Sequence, residues 1–278
     1  MQNANPLTFQ EGEKLELGTV LSEKDCIFQQ YNFCFDYFSN LFPEFTGPGQ
    51  SKHGKEDILS IVEKAVSLGL FQEGGIQKPS FVALLSIIGA FNPRVYVESG
   101  VFAGSSLFAF ESAPTVKKIW GFDPNINGLR FSTSKKTKLI SDLDFSAFNF
   151  PSDIEYQDSF VYFDDHINTA TRIISAYEKG FRLLAFDDSN GITGIKNRLY
   201  PAMPTLPIIN NIRHFSSDQV IEWNSHGKHV RFDFTPEIVD LCTEAKSRIM
   251  KFCAFPGPGT FYENYAMSDE KYLVALRA

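Results

Sequence analysis

The chain has 278 residues, a net charge of −7 and 43% hydrophobic residues, which suits one large α/β domain or one domain with additions. Because no basic stripe accompanies the negative charge and no apolar run approaches a membrane span, neither nucleic acid nor a membrane is expected as a partner. The N-terminus lacks the basic and apolar regions of a secretion signal, and the four cysteines have no metal-type spacing. We therefore expect a cytoplasmic protein with reduced cysteines.

The first part of the chain is predicted to be mostly helical. Its clearest amphipathic segment runs from Ile58 to Phe71, and Gly74 and Gly75 break the chain before a helix from Lys78 to Phe91. Six of the 28 phenylalanines fall between positions 28 and 45. We expect them to pack in a core or in a dimer interface rather than around an aromatic substrate.

The segment from Arg94 to Ser106 predicts a strand, a glycine turn and the start of a helix. The strand consists of β-formers without a polar interruption and ends at Glu98, as an inner strand of a parallel sheet would. Gly100 and Gly104 bracket the turn, where a missing Cβ lets backbone approach a ligand, and the helix N-terminus at Ser105 faces the same place. A tight turn that only packs the helix on the strand is the alternative.

Two further strand-like segments follow. Lys118–Pro124 is predicted to contain a strand that ends at Asp123. Asp123 lies about twenty positions after the glycine turn, where an acidic residue is suited to bind ribose hydroxyls. The next segment, Lys138–Phe145, carries Asp142 and Asp144 at its end. This order of strand, glycine turn, helix, strand and acid favours a cofactor site.

Two later strands each end in a pair of carboxylates. Phe160–His166 and Phe181–Asp188 frame a predicted helix, Ile167–Lys179, that Gly180 closes. Neighbouring parallel strands would bring these carboxylates to one edge of the sheet, where their repulsion favours a bound cation. Oxygen ligands alone suit Mg²⁺, Mn²⁺ or Ca²⁺. The alternative is that the aspartates cap the following helices.

The last part of the chain is predicted to be irregular at first and regular later. Proline density in Tyr200–Pro207 forbids a regular helix or central strand, so this loop is either a substrate lid or a linker. Helical spacing predicts a helix over Pro236–Lys251, and Pro256–Gly259 reads as a turn. The final segment, Lys271–Arg277, is predicted to be an antiparallel edge strand.

The segment from Glu98 to Ser106 resembles the E-x-G-x-x-x-G cofactor motif of class I S-adenosylmethionine-dependent methyltransferases. The resemblance implies a Rossmann-like, doubly wound, mostly parallel seven-stranded sheet with an antiparallel last strand, plus an N-terminal helical segment. Residues 1–78 would be a helical cap or a segment for homodimerisation. Residues 79–278 would bind S-adenosylmethionine, with an insert at about 190–234.

The resemblance also implies a role for each residue of the cofactor site. Gly100 and Gly104 would lie against the methionine part of the cofactor, with Glu98 and Ser105 nearby. Asp123 would hold the ribose. The adenine would be flanked by Asp142 or Asp144, together with Phe145.

The paired carboxylates resemble those of divalent-metal-dependent O-methyltransferases, such as catechol O-methyltransferase, macrolide sugar O-methyltransferases and the cephalosporin-hydroxylase-like group. Asp165-His166 matches an Asp-His pair, and Asp187-Asp188 matches an Asp-Asn pair. The resemblance, which covers roughly residues 90–190, implies Asp165, Asp187 and Asp188 as metal ligands. A shift of one residue would exchange Asp164 for Asp165.

The chain departs from the catechol enzyme at one position. Where that enzyme has a lysine as the base, this sequence has Asn168, which cannot take a proton. His166, beside Asp165, is then the candidate catalytic base, and three later histidines are alternatives: His214, His226 and His229.

The predicted function is therefore methyl transfer from S-adenosylmethionine to a hydroxyl of a small molecule, assisted by Mg²⁺ or a similar ion. A sugar or natural-product hydroxyl is favoured, because the long insert resembles that group. The alternatives are a metal-dependent hydrolase on the same sheet and a non-catalytic cofactor-binding protein.

Overall fold

A computed structural model describes residues 22–47, 50–72, 74–154, 156–187, 203–225, 227–256 and 271–278. Its α-helices are α1 (Glu23–Leu41), α2 (Lys55–Ser67), α3 (Lys78–Phe91), α4 (Ser105–Glu111), α5 (Thr169–Lys179), α6 (Leu206–Asn210) and α7 (Pro236–Arg248). Its strands are β1 (Val95–Ser99), β2 (Lys118–Phe122), β3 (Thr137–Ile140), β4 (Ser159–Phe163), β5 (Leu183–Phe186), β6 (Val220–Ser225), β7 (Lys228–Asp233), β8 (Ile249–Ala254) and β9 (Tyr272–Leu276). None of the helices in these ranges is long and apolar enough to cross a membrane.

Seven strands form one sheet in the order β3-β2-β1-β4-β5-β9-β8. Strands β1 to β5 are parallel to their neighbours, and β9 is antiparallel to both β5 and β8. The predicted Rossmann-like, mostly parallel sheet with an antiparallel last strand is confirmed. The predicted edge position of that strand is wrong, because β8 pairs with its outer side.

The strand order reverses direction in the middle of the sheet. From β1 the chain proceeds to β2 and β3 on one side and then crosses to β4 on the other side. In open α/β sheets the crevice at such a switch point, at the carboxyl ends of the strands, is where ligands bind. The residues that follow β1 and β4 therefore occupy the expected place for a site.

Helices cover both faces of the sheet. Successive side chains of β1 alternate between the faces, so Tyr96 joins a core cluster with α1 to α4, and Val97 joins a second cluster with α5 to α7. All five residues of β1 are buried, as predicted for an inner strand.

The N-terminal helices belong to the first of these clusters. Phe35, Phe38 and Phe42 are buried in it, which confirms the prediction of core packing for them, whereas Phe33 is exposed. The side-chain amide of Gln30 donates a hydrogen bond of 2.9 Å to the Pro79 carbonyl and ties α1 to α3. The division of the chain near residue 78 and homodimerisation both stay predictions.

Several predicted elements have different bounds in the structure. The helix predicted over Pro236–Lys251 ends at Arg248, because the next residues pair with β9 as strand β8. The insert predicted to be irregular contains the β6–β7 hairpin, which pairs antiparallel. The third strand stops at Ile140, before Asp142. Residues 200–202 and most of the turn Pro256–Gly259 lie outside the described residues. The prediction that Tyr200–Pro207 contains no regular helix is wrong at its end, because α6 begins at Leu206 and takes Pro207 into its first turn, where a proline is tolerated.

Candidate active site

A cavity of about 820 Å³ lies at the carboxyl ends of β1, β2, β3 and β4. Its size is within the range of small-molecule sites. Some of the site residues predicted from the sequence line this cavity, and others do not. Those that line the cavity are Gly100, Asp123, Asp142, Asp144, Asp165 and His166.

The two glycines of the turn are required by the packing of the protein itself. Gly100 has a φ of +92°, and a Cβ there would lie 2.1 Å from the carbonyl oxygen of Asp164, which follows β4. Gly104 has a φ of +86°, and its Cβ would lie 2.3 Å from Leu129 and 2.8 Å from Phe131. All three distances are below a normal contact and both φ values are positive, so neither glycine needs a ligand to explain it.

Asp123 holds the glycine turn from the end of β2. Its Oδ2 accepts hydrogen bonds of 2.8 Å from the backbone N–H groups of Val101 and Phe102, and its Oδ1 accepts one of 2.7 Å from Asn125. These bonds hold Phe102 at a φ of +47°, an uncommon conformation for an aromatic residue. The ring of Phe102 is exposed and lines the cavity.

Glu98 and Ser105 lie beneath the turn and do not line this cavity. The Glu98 carboxyl is fully buried and accepts a short hydrogen bond from the Ser106 hydroxyl. Burial raises the pKa of Glu98 to about 8, which favours the protonated carboxyl at neutral pH. The Ser105 hydroxyl donates a hydrogen bond of 2.6 Å to the carbonyl of Leu70.

Arg172 of α5 joins two of the predicted site residues. Its guanidinium donates to both oxygens of Asp144, at 2.8 and 2.6 Å, and to Oδ2 of Asp165, at 2.9 Å from Nε. Burial alone would lower the pKa of Arg172, but these two carboxylates outweigh it and raise that pKa. The same hydrogen bonds hold the pKa of Asp144 well below its usual value.

The side chains predicted to flank an adenine differ in their exposure. Asp142 is exposed at the cavity wall. Phe145 is fully buried, and the Arg172 guanidinium lies 5.8 Å from its ring centroid. The Phe145 ring therefore lies next to the guanidinium of the ion pair and does not line the cavity.

Asp187, at the end of β5, is paired with a cation inside the protein. Its Oδ1 accepts from the ammonium of Lys271 at 2.6 Å, and its Oδ2 accepts from the Tyr162 hydroxyl at 2.8 Å. Burial, with the charge of Asp187 second, raises the pKa of Tyr162 well above its usual value. Asp187 and Lys271 are both buried.

The described residues do not fit the divalent metal that the resemblance implies. Asp165 is bonded to Arg172, Asp187 is bonded to Lys271, and Asp188 lies outside the described residues. Among the side chains that the structure describes, no group of three or more histidines, cysteines, aspartates or glutamates is arranged to hold a metal ion. The alternative of a metal-dependent hydrolase would need the same ligands.

His166 is exposed at the cavity wall and has a φ of +55°. Asp165 Oδ1 accepts a hydrogen bond from the N–H of Ile167, which closes a turn around His166. Sparsely populated backbone conformations of this kind cluster at functional sites. Of the other histidines, His214 and His229 are not in the cavity lining, and His226 lies outside the described residues.

Asn168, which stands where the catechol enzyme has its base, has a structural role. It is the N-cap of α5, and its Oδ1 accepts a hydrogen bond from the backbone N–H of Thr171 at 3.2 Å. Helix α5 therefore begins two residues later than predicted, at Thr169.

Sequence reasoning missed three residues: Arg172, Tyr162 and Lys271. Arg172 carried a signal, because it lies on the apolar face of α5 with Ile173 and Ala176, where an arginine needs buried partners. Tyr162 and Lys271 carried none, because each lies in or beside a strand whose pairing the sequence does not reveal.

No family model matches the chain, and no curated protein matches its sequence. Solved structures with a similar fold include the O-methyltransferase TomG from Streptomyces achromogenes in complex with S-adenosylmethionine. It is 12% identical, with 93% of this chain and 100% of that chain covered and a TM-score of 0.47.

A second is the Podospora anserina methyltransferase PaMTH1 bound to S-adenosylhomocysteine, which is 11% identical, with 94% of this chain and 100% of that chain covered and a TM-score of 0.46. A third is an O-methyltransferase from Bacillus cereus in complex with S-adenosylhomocysteine, which is 11% identical, with 90% of this chain and 100% of that chain covered and a TM-score of 0.44. Similarity at this level does not transfer an activity. A function for this chain has to come from its own side chains.

Proposed function

We propose that this protein is an S-adenosylmethionine-dependent methyltransferase that acts on a hydroxyl of a small molecule. The observation that carries the proposal is the charge of the cavity, whose described wall has one arginine and five aspartates: Asp123, Asp142, Asp144, Asp164 and Asp165. Such a wall repels the phosphates of nucleotides and attracts a cation. S-adenosylmethionine is a nucleoside with a sulfonium cation and no phosphate, so it matches both properties.

The side chains at the carboxyl ends of β2 and β3 suit the nucleoside part of this ligand. Asp123 accepts three backbone N–H groups, and a carboxylate has about four acceptor positions, so one position remains for a ribose hydroxyl. Asp142 offers an exposed acceptor for an amino group. Phe102 and Leu143 offer apolar surface for a base.

S-adenosylmethionine, when bound, would supply an electrophilic methyl group. The acceptor hydroxyl has to lose its proton during transfer, and among the described residues His166 is the imidazole at the cavity wall. Asp165 positions His166, because its two oxygens hold the turn at Ile167 and the guanidinium of Arg172. A sugar or natural-product hydroxyl remains the favoured acceptor.

Calorimetric titration with S-adenosylhomocysteine tests the proposal. We expect micromolar binding by the wild type and at least a tenfold loss in Asp123→Asn, because the amide nitrogen cannot accept the turn and ribose donors together. Asp153→Asn is the matched control, since Asp153 forms only an exposed ion pair with Lys118. No binding by the wild type, or equal binding by both variants, would contradict the proposed site.

Catalysis is tested separately with His166→Ala. This variant should keep its affinity for S-adenosylhomocysteine and lose most methyl transfer to a hydroxyl acceptor. Unchanged turnover would remove His166 from the mechanism and leave cofactor binding as the remaining assignment.

A further inference from the structure

We propose that two internal cations, Lys271 and Arg172, take the place of a divalent metal at the carboxyl ends of β4 and β5, so that this protein works without a bound metal. The inference rests on the contacts of the carboxylates themselves, and only its meaning for catalysis depends on the proposed function. It explains how two of the aspartates at this sheet edge, Asp165 and Asp187, are neutralised.

The pairing of β9 with β5 determines the position of Lys271. Phe186 pairs with Tyr272 in the antiparallel register. The residue after Phe186, which is Asp187, therefore lies opposite the residue before Tyr272, which is Lys271. Their side chains meet at 2.6 Å although the residues are 84 positions apart in the chain. The last strand thus delivers an ammonium to the edge where the resemblance implies a metal.

Burial of both partners prevents a metal from replacing the Lys271 ammonium at Asp187. Its side chain is 3% exposed, and that of Asp187 is 5% exposed. The other oxygen of Asp187 already accepts from the buried Tyr162 hydroxyl. A divalent ion bound to Asp187 would lie within a few ångströms of the ammonium, and the repulsion between them in a buried setting would be severe.

Arg172 holds the other predicted ligand in the same way. Its side chain is 1% exposed and donates to Asp165 from Nε, while its terminal nitrogen lies 2.7 Å from the same oxygen. Asp165 Oδ1 is bonded to the N–H of Ile167. Both oxygens of Asp165 therefore have protein partners, and one of those partners carries a positive charge.

Titration with Mn²⁺, followed by electron paramagnetic resonance of the free ion, tests the proposal directly. We expect the wild type to bind no stoichiometric Mn²⁺ at micromolar concentrations and to contain no divalent metal by elemental analysis. Its affinity for S-adenosylhomocysteine should be unchanged by EDTA. One tightly bound Mn²⁺ per chain that is lost in Asp187→Asn would overturn the proposal.

A substitution should create the site that Lys271 blocks. In Lys271→Met the Asp187 carboxylate loses its internal cation, and we expect the affinity for Mn²⁺ to rise at least tenfold over that of the wild type. Lys251→Met is the matched control, because Lys251 forms an ion pair of 2.7 Å with Glu44 at the surface; it should show no gain.

A folded Lys271→Met protein without any gain in Mn²⁺ affinity would refute the role of Lys271. If Lys271→Met does not fold, Lys271→Gln is the second variant, and the wild-type titration decides the question by itself. The Mn²⁺ measurements involve neither methyl transfer nor cofactor binding, so failure of the inference is distinct from failure of the proposed function.

Discussion

Replacing Gly100 with alanine should destabilise the protein by about 4 kcal/mol, and the structure supplies the parts of this value. A left-handed backbone conformation costs a residue with a Cβ about 1–2 kcal/mol, and Gly100 has a φ of +92°. The new Cβ would lie 2.1 Å from the Asp164 carbonyl oxygen and 2.5 Å from its carbon. Because these are backbone atoms, no side chain can rotate away.

Relief of this clash requires the ends of β1 and β4 to separate by more than an ångström. That movement would stretch the hydrogen bond of 2.8 Å from the Asp164 N–H to the Ser99 carbonyl. A buried hydrogen bond contributes about 1 kcal/mol, and overpacking costs about 1–3 kcal/mol. Together with the conformational cost, the loss comes to about 4 kcal/mol.

Gly74→Ala is the control for the backbone conformation. Gly74 has a φ of +85°, but a Cβ there would meet nothing within 4 Å, so only the conformational cost of about 1–2 kcal/mol applies. Urea unfolding at neutral pH gives both free energies of unfolding. Equal losses in the two variants would refute the steric explanation of Gly100.

Three further predictions concern charge and helix capping. Arg172→Met should lower the free energy of unfolding by about 3–4 kcal/mol, because it leaves Asp165 without its buried cation; urea denaturation measures the loss. The raised pKa of Glu98 should make the protein less stable as pH rises from 4.5 to about 8, by roughly 1.4 kcal/mol per pH unit at most. The sign follows because the native carboxyl keeps a proton that the unfolded one releases. Glu98→Gln should remove this slope in unfolding experiments across that range. Asn168→Ala should cost about 1 kcal/mol through loss of the α5 cap without lowering methyl transfer per folded molecule.

Each of these predictions has an outcome that contradicts it. For Arg172 the comparison is Asp144→Asn, which should cost less than about 1 kcal/mol because Asp144 is 44% exposed; an equal loss would contradict the assignment to Asp165. An unchanged pH slope in Glu98→Gln would mean that Glu98 is ionised in the fold. For Asn168 the control is the cap of α7, Thr235→Ala, and a selective loss of turnover in Asn168→Ala would restore a catalytic role.

The parallel half of the sheet could be predicted because its signals are local. The β-formers before Glu98, the glycine turn and the acid at Asp123 all lie in one continuous stretch, and each was found in its predicted element. The edge of the sheet could not be predicted in this way. The predicted helix extends to Lys251, and only pairing with β9 makes Ile249–Ala254 a strand.

The residues of the site were likewise predictable only in part. Spacing along the chain predicted that the acids after β2, β3 and β4 meet at one cavity, because the carboxyl ends of parallel strands share an edge. Spacing did not reveal that Glu98 and Phe145 are buried away from that cavity. The side of the sheet or turn that is buried depends on which elements pack against it, and that is a property of the tertiary structure.

The sequence by itself determined the order of the parallel strands, the glycine turn and the row of carboxylates at one edge, because these follow from residue type and short-range spacing. The tertiary structure alone decided what the carboxylates bind. Lys271 reaches Asp187 through the pairing of the last strand, and Arg172 reaches Asp144 and Asp165 from the buried face of a helix. Such partners depend on long-range packing, which gives internal cations to Asp165 and Asp187, two of the three acids predicted to bind a metal.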